Sequence, residues 1–118
     1  MNLLKIISGG ETGADRAALD WAISHGIPHG GSCPKGRRAE DGEIPAKYLL
    51  TELTTTSYPK RTEQNVLDSD GTLIITIKPK LSTGSRQTAE FARKHGKPLL
   101  HVHVGDDDAA EQVTEFMD

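Results

Sequence analysis

A glycine-rich turn between a strand and a helix constrains the fold of this chain more than any other feature. An apolar run leads into the turn, and the turn is followed at once by an alanine-rich helical pattern. The stretch reads Ile6-Ile7-Ser8-Gly9-Gly10-Glu11-Thr12-Gly13-Ala14-Asp15-Arg16. Glycines let the backbone approach a ligand, and the free N–H groups and dipole at a helix start favour negative charge. The Gly-Gly-x-x-Gly spacing matches neither the dinucleotide fingerprint nor the P-loop. The turn therefore predicts a phosphate-type anion site without naming its ligand.

Length and charge set broad bounds on the class of protein. The 118 residues predict one domain, 1–118, with a single core. The formal net charge of −3 gives no indication of nucleic acid or a membrane surface as a partner. One cysteine, Cys33, allows no intrachain disulfide, fits a reducing cytoplasm and is interpreted as a packing residue. With no signal-peptide pattern and no run long enough to span a bilayer, we expect a soluble cytoplasmic protein.

Strand-like and helix-like patterns alternate along the chain. The predicted strands are Leu3 to Ile7, Ile27 to Cys33, Leu49 to Leu53, Thr72 to Ile77 and Leu99 to Val104. The predicted helices run from about Asp15 to His25, from Ser57-Tyr58-Pro59 to near Asp70, from Ser85 to His95, and onward from Asp106-Asp107-Asp108. The stretch Pro34 to Tyr48 is polar and is predicted to be a loop. This alternation predicts an α/β fold with a mainly parallel five-stranded sheet and helices on both faces.

Ligands of parallel sheets bind beyond the carboxyl ends of the strands, where four polar segments are expected to converge. Besides the first turn, they are a basic loop, a helix face on which two polar residues lie four positions apart, and a second turn that opens a helix. The predicted binding residues are Gly9, Gly10, Thr12, Gly13, Lys35, Arg37, Arg38, Arg61, Asn65, Thr83, Gly84, Ser85 and Thr88.

Structural interpretations stand beside the functional ones. Asp15 is expected to complement the helix dipole, and Glu40 and Asp41 could neutralise the cations of the basic loop internally. His101 and His103 alternate on one strand, but no third ligand is evident, so no metal site is predicted. No catalytic constellation stands out among the residues.

The sequence resembles the molybdenum carrier family, small Rossmann-like proteins related to the nucleotide-binding SLOG superfamily. The resemblance lies in residues 6–20 and 30–42, and further along in Tyr58, Arg61-Thr62-Glu63, Asn65-Val66, Asp68-Ser69-Asp70 and residues 92–98. It implies a Rossmann-like three-layer domain that carries molybdenum cofactor, a pterin phosphate holding the metal through a dithiolene. It also implies a cytoplasmic homo-oligomer, a dimer or tetramer, with molybdoenzymes as acceptors of the cofactor.

Three departures from the family pattern are visible. Ser32 stands where the family usually has a bulky aromatic, and Thr83-Gly84-Ser85 replaces the usual Gly-Gly-Thr. Family members also normally continue past the last helix into a further strand and helix. The sequence given ends at Asp118, so the strand Leu99 to Val104 is expected to be an edge that favours pairing with another subunit.

The leading interpretation is a non-catalytic carrier for molybdenum cofactor or a similar phosphorylated pterin or nucleotide. An alternative is an enzyme that cleaves a nucleotide N-glycosidic bond, as some SLOG relatives do, with Glu90 as its carboxylate. A nucleotide sensor of the same superfamily is a third possibility. These alternatives stay open from the sequence alone.

Overall fold

The chain is an α/β protein, and its described residues form four helices and short strands. Its structure, a computed structural model, describes residues 4–117. The helices are α1 (Ala14–Ser24), α2 (Tyr58–Asp68), α3 (Thr83–Lys94) and α4 (Ala109–Met117). The strands are β1 (Ile6–Ile7), β2 (His29–Gly30), β3 (Ser32–Cys33), β4 (Arg38–Ala39), β5 (Gly42–Glu43), β6 (Thr51–Glu52), β7 (Thr72–Thr76) and β8 (Leu99–His103). The predicted residue Leu3 of the first strand lies outside the described part.

The strand pairing is mainly parallel. The pairs β1–β2, β3–β6 and β7–β8 are parallel, and the pair β4–β5 is antiparallel. The chain forms two compact units, one up to Asp68 and one from Ser69. The α/β class and the alternation of strands with helices are confirmed, whereas the described ladders each have two strands. One five-stranded sheet and one domain therefore stay predictions.

Gly31 divides the predicted strand from Ile27 to Cys33 into two. Its φ of 133° is one that residues with a side chain rarely adopt, and a Cβ there would collide with the carbonyl oxygen of Ser8 and lie 2.8 Å from its nitrogen. Before this glycine β2 pairs with β1, and after it β3 pairs with β6. The close crossing over Ser8 thus transfers the chain from one partner strand to the next.

The segment from Pro34 to Tyr48 is more ordered than its polar sequence predicts. It contains the hairpin β4–β5, and it contributes Ile44 and Tyr48 to the core of the first unit. Both side chains are buried together with Leu19 of α1 and Cys33 of β3. Burial raises the pKa of the Cys33 thiol, in agreement with its interpretation as a packing residue. The segment is thus a loop that carries a short hairpin, and the sequence did not indicate its two core residues because they are widely spaced in a polar stretch.

In the second unit, the strand pair β7–β8 packs with α3 and α4. Its buried side chains include Ile74 and Val102 on the strands and the alanines at 89 and 92 on α3. The strand histidines have local partners: His101 Nε2 lies 2.7 Å from Thr76 Oγ1, and His103 Nε2 lies 2.7 Å from Asp106 Oδ1. Within residues 4–117, no group of three candidate ligand side chains could hold a metal ion.

None of the helices formed by the described residues has both the length and the apolar character needed to cross a membrane.

Candidate functional site

The glycine turn after β1 is built by hydrogen bonds within the turn and the first turn of α1. Ser8 Oγ accepts from the N–H of Gly10 (3.2 Å) and donates to the carbonyl of Asp15 (3.0 Å). The N–H of Glu11 donates to Asp15 Oδ2 (3.3 Å), and the N–H of Thr12 donates to Glu11 Oε1 (3.1 Å). The N–H groups of Gly10 and Thr12, two of the predicted binding residues, therefore already have partners in this structure.

The hairpin β4–β5 closes over the same turn. The hydroxyl of Thr12 donates to Glu40 Oε2 (2.9 Å), and the N–H of Glu40 donates to Glu11 Oε1 (2.6 Å). Arg16 binds Asp41 with both terminal nitrogens (2.5 and 3.0 Å), which holds the pKa of that carboxyl below its ordinary value. Glu40 and Asp41 thus contact the glycine turn and α1, and not the basic loop.

Arg61 of α2 lies directly over Gly9. A Cβ on that glycine would collide with the guanidinium, at 2.7 Å from Cζ, so the backbone of the turn and this side chain are in close contact. The Arg61 side chain is only 15% exposed, yet its Nε has no hydrogen-bond partner among the described residues. Its ion pair, to Asp15 Oδ2, is long at 3.9 Å. A largely buried guanidinium with unused donors is a favourable place for an oxyanion.

Asp15 shares this environment. Burial raises the pKa of its carboxyl, and the positive charge of Arg61 opposes that rise. The sequence suggested only that Asp15 complements the helix dipole. The structure adds that it contacts both the glycine turn and Arg61.

Arg37 differs from its predicted role as a ligand contact. Its guanidinium donates to four backbone carbonyls of the segment that follows it, those of residues 44, 45, 48 and 50, at 2.9–3.4 Å. Its φ of 52° lies in the left-handed region, which is uncommon for a residue with a side chain. Arg37 is therefore a structural residue of the loop, in contrast to its predicted role in ligand binding.

Lys35 and Arg38 keep the exposed positions predicted for the basic loop. The loop backbone is fixed by the N–H of Lys35, which donates to the carbonyl of Thr55 (2.8 Å), and by the N–H of Gly36, which donates to Glu52 Oε2 (2.6 Å). No ion pair between described residues involves either of the two exposed cations. Both remain available to an anionic ligand.

Asn65 uses its amide group on the chain itself. Its Oδ1 accepts from the N–H of Ser32 (2.7 Å), and its Nδ2 donates to the carbonyl of the same residue (3.0 Å). It shares α2 with Arg61, as the four-residue spacing predicts, but it ties the helix to β3. Asn65 therefore positions the strand.

The second predicted turn opens α3, two residues earlier than the sequence indicated. Ser82 is its N-cap and accepts from the N–H of Ser85 (3.3 Å), while the Thr88 hydroxyl donates to the carbonyl of Gly84 (3.1 Å). Thr83 and Glu90 are exposed on the same helix. These residues belong to the second unit, and their predicted convergence with the first turn stays a prediction.

The contacts of Arg16 and Tyr58 with this region were missed by sequence reasoning. Arg16 joins the hairpin to the turn by donating also to the carbonyl of Gly10 (3.0 Å). The Tyr58 ring lies with its centroid 5.9 Å from Cζ of Arg61. The three-residue spacing of Tyr58 and Arg61 on one helix was a usable signal for the second contact. No sequence signal indicated the contact of Arg16, because its partner Asp41 is 25 residues away.

Parallel strands with a glycine turn at a helix start, covered by an arginine, are typical of α/β proteins that bind anionic ligands. The chain belongs to the circularly permutated YpsA SLOG family, whose model matches residues 6–118. It is also similar to a solved structure from Syntrophus aciditrophicus SB, described as a "putative molybdenum carrier protein". The two share 56% identity with a TM-score of 0.88, over 92% of this chain and 70% of the other. No curated protein matches the chain. The family resemblance predicted from the motifs is confirmed.

Proposed function

We propose that this protein is a carrier that binds molybdenum cofactor, or a similar phosphorylated pterin, at the surface formed by the glycine turn and Arg61. The observation that carries the proposal is the guanidinium of Arg61, which lies against Gly9 and whose terminal nitrogens make no hydrogen bond among the described residues. The similarity to a structure described as a molybdenum carrier supports the pterin phosphate as the kind of cargo.

An oxyanion would complete the hydrogen bonding of this arginine. Hydrogen bonds to charged groups contribute about 1.5–3 kcal/mol each, and a planar guanidinium can bind two phosphate oxygens at once. The existing ion pair with Asp15, at 3.9 Å, is too long to use the donors in this way. A ligand phosphate therefore gains interactions that the protein lacks without it.

The carboxylates around Thr12 limit where that phosphate can lie. Glu11 and Glu40 already accept from the N–H and hydroxyl of Thr12, and their negative charge repels an anion there. We therefore place the phosphate on the side of the turn that Arg61 covers, with Lys35 and Arg38 adding longer-range attraction. The metal is cargo held by the pterin, and the protein residues named here bind the phosphate.

Several finer expectations belong to the same proposal. A Rossmann-like fold with a five-stranded sheet and the ligand contacts expected of the Thr83-Gly84-Ser85 turn are two of them. The carrier would act in the cytoplasm as a homo-oligomer and pass its cargo to molybdoenzymes. We propose no catalysed reaction, because Glu90 is exposed and no described contact distinguishes it from an ordinary surface acid.

Calorimetric titration with neopterin monophosphate tests the proposal. Arg61→Ala is expected to weaken binding at least tenfold, the loss expected for one charge-assisted hydrogen bond of about 1.5 kcal/mol. Arg93→Ala is the matched control, since it removes one exposed arginine at the end of α3 and should leave the affinity unchanged. Wild-type affinity in Arg61→Ala, or no binding by the wild-type protein, contradicts the proposal.

A further inference from the structure

We infer that Tyr58 is the platform on which the flat ring system of the ligand stacks. The inference rests on the proposed function and extends it from the phosphate to the heterocycle. Tyr58 is the first residue of α2, and its side chain is 43% exposed although it is a large aromatic. Exposed aromatic rings next to a charged group are a common means of holding a heterocycle in a binding site.

The ring is joined to the phosphate site through Arg61. The guanidinium contacts Gly9 on one side and lies 5.9 Å from the ring centroid of Tyr58 on another. A ligand phosphate bound by Arg61 would thus lie within a short reach of the exposed ring. Because Arg61 occupies only part of the ring surface, area remains for a planar heterocycle.

The other aromatic side chains of the first unit are unsuitable. Tyr48 is 2% exposed and donates its hydroxyl to Asp20 (2.6 Å), so its ring belongs to the core. Trp21 stacks on His25, with ring centroids 4.5 Å apart, near the carboxyl end of α1. The glycine turn lies at the opposite end of that helix, roughly 12 Å away at 1.5 Å per residue. Among the described tyrosine and tryptophan residues of this unit, Tyr58 alone is both exposed and close to Arg61.

Two probes that differ in the ring separate stacking from phosphate binding. Neopterin monophosphate carries a pterin and a phosphate, whereas ribose 5-phosphate carries the phosphate without a heterocycle. Tyr58→Ala is expected to lower the affinity for neopterin monophosphate about tenfold, because stacking on an aromatic side chain contributes a loss of this size. The affinity for ribose 5-phosphate should stay unchanged. Tyr58→Phe keeps the ring and is expected to keep the wild-type affinity for both.

The contrary outcomes are distinct from one another. If Tyr58→Ala lost affinity equally for both probes, Tyr58 would only position Arg61, and the inference would be overturned. Wild-type affinity for the pterin probe in Tyr58→Ala would overturn it as well. Failure of the proposed function differs from both, since the wild-type protein would then bind neither probe. A thermal unfolding curve for each variant confirms that the chain is folded.

Discussion

Replacing Gly9 with alanine should weaken ligand binding at least tenfold without unfolding the protein. The new Cβ would collide with the guanidinium of Arg61, and its distance to Cδ would be 2.9 Å, so the whole end of the side chain must leave its place. Gly9 is not among the glycines with positive φ, so its backbone accepts alanine without strain. The substitution therefore acts on Arg61 and not on the fold.

The magnitudes follow from the contacts that are lost. Displacing Arg61 removes one long ion pair to Asp15, worth up to about 1 kcal/mol for partly exposed charges. Alanine restricts the unfolded chain and returns about 0.4–1 kcal/mol, so the free energy of unfolding should change by less than about 1 kcal/mol. Loss of the charge-assisted contacts to phosphate, about 1.5–3 kcal/mol, corresponds to a roughly 10- to 150-fold weaker affinity.

Calorimetry with neopterin monophosphate and urea unfolding measure the two quantities on the same samples. The double variant Gly9→Ala/Arg61→Ala should bind no more weakly than Arg61→Ala, because both changes remove the same interaction. Gly31→Ala is the contrasting variant, since its Cβ meets the backbone of Ser8, and it should lose stability. Wild-type affinity in Gly9→Ala, or fully additive losses in the double variant, would refute the reasoning.

Three further predictions concern the residues around the site. Asn65→Ala removes two hydrogen bonds to the backbone of Ser32 and should lower the free energy of unfolding by about 1–3 kcal/mol in urea; an unchanged midpoint would contradict this. Arg37→Lys keeps the charge but loses the fork that binds four carbonyls, so stability should fall by about 1.5–3 kcal/mol while the affinity of the folded protein for neopterin monophosphate is retained. A stable variant with weak binding would oppose the structural role. The raised pKa of Asp15 stabilises the fold fully below the ordinary value of 3.8, and this contribution is lost as pH rises through the folded pKa. The free energy of unfolding, measured in a pH series, should therefore fall with rising pH in the wild-type protein more than in Asp15→Asn. Identical pH profiles of the two proteins would contradict this role of Asp15.

The alternation of strands and helices could be predicted from the sequence because it depends on local patterns. The apolar run before the glycine turn, the start of α2 at Tyr58 and the β-branched run of β7 all have signals within a few residues. The same holds for the family motifs, which lie in short stretches. Predictions of this kind needed no knowledge of distant contacts.

The roles of individual polar side chains could not be predicted, because they depend on partners far along the chain. Asn65 bonds to a residue 33 positions away, and Glu40 bonds to Thr12 across 28 positions. Arg37 bonds to carbonyls 7 to 13 positions further along the chain, which its residue type does not indicate. The cation-rich segment predicted Lys35, Arg37 and Arg38 alike as ligand contacts, and it did not indicate that the loop itself would use Arg37.

The cargo released from the protein tests the central proposal most directly. Protein purified from its native host would be denatured, and the small molecules set free would be identified by mass spectrometry beside elemental analysis for molybdenum. We expect an oxidised pterin phosphate together with molybdenum, and much less of both from Arg61→Ala than from Arg93→Ala. An adenine nucleotide without metal, or equal cargo in the two variants, would contradict a carrier that holds its pterin phosphate through Arg61 at the glycine turn.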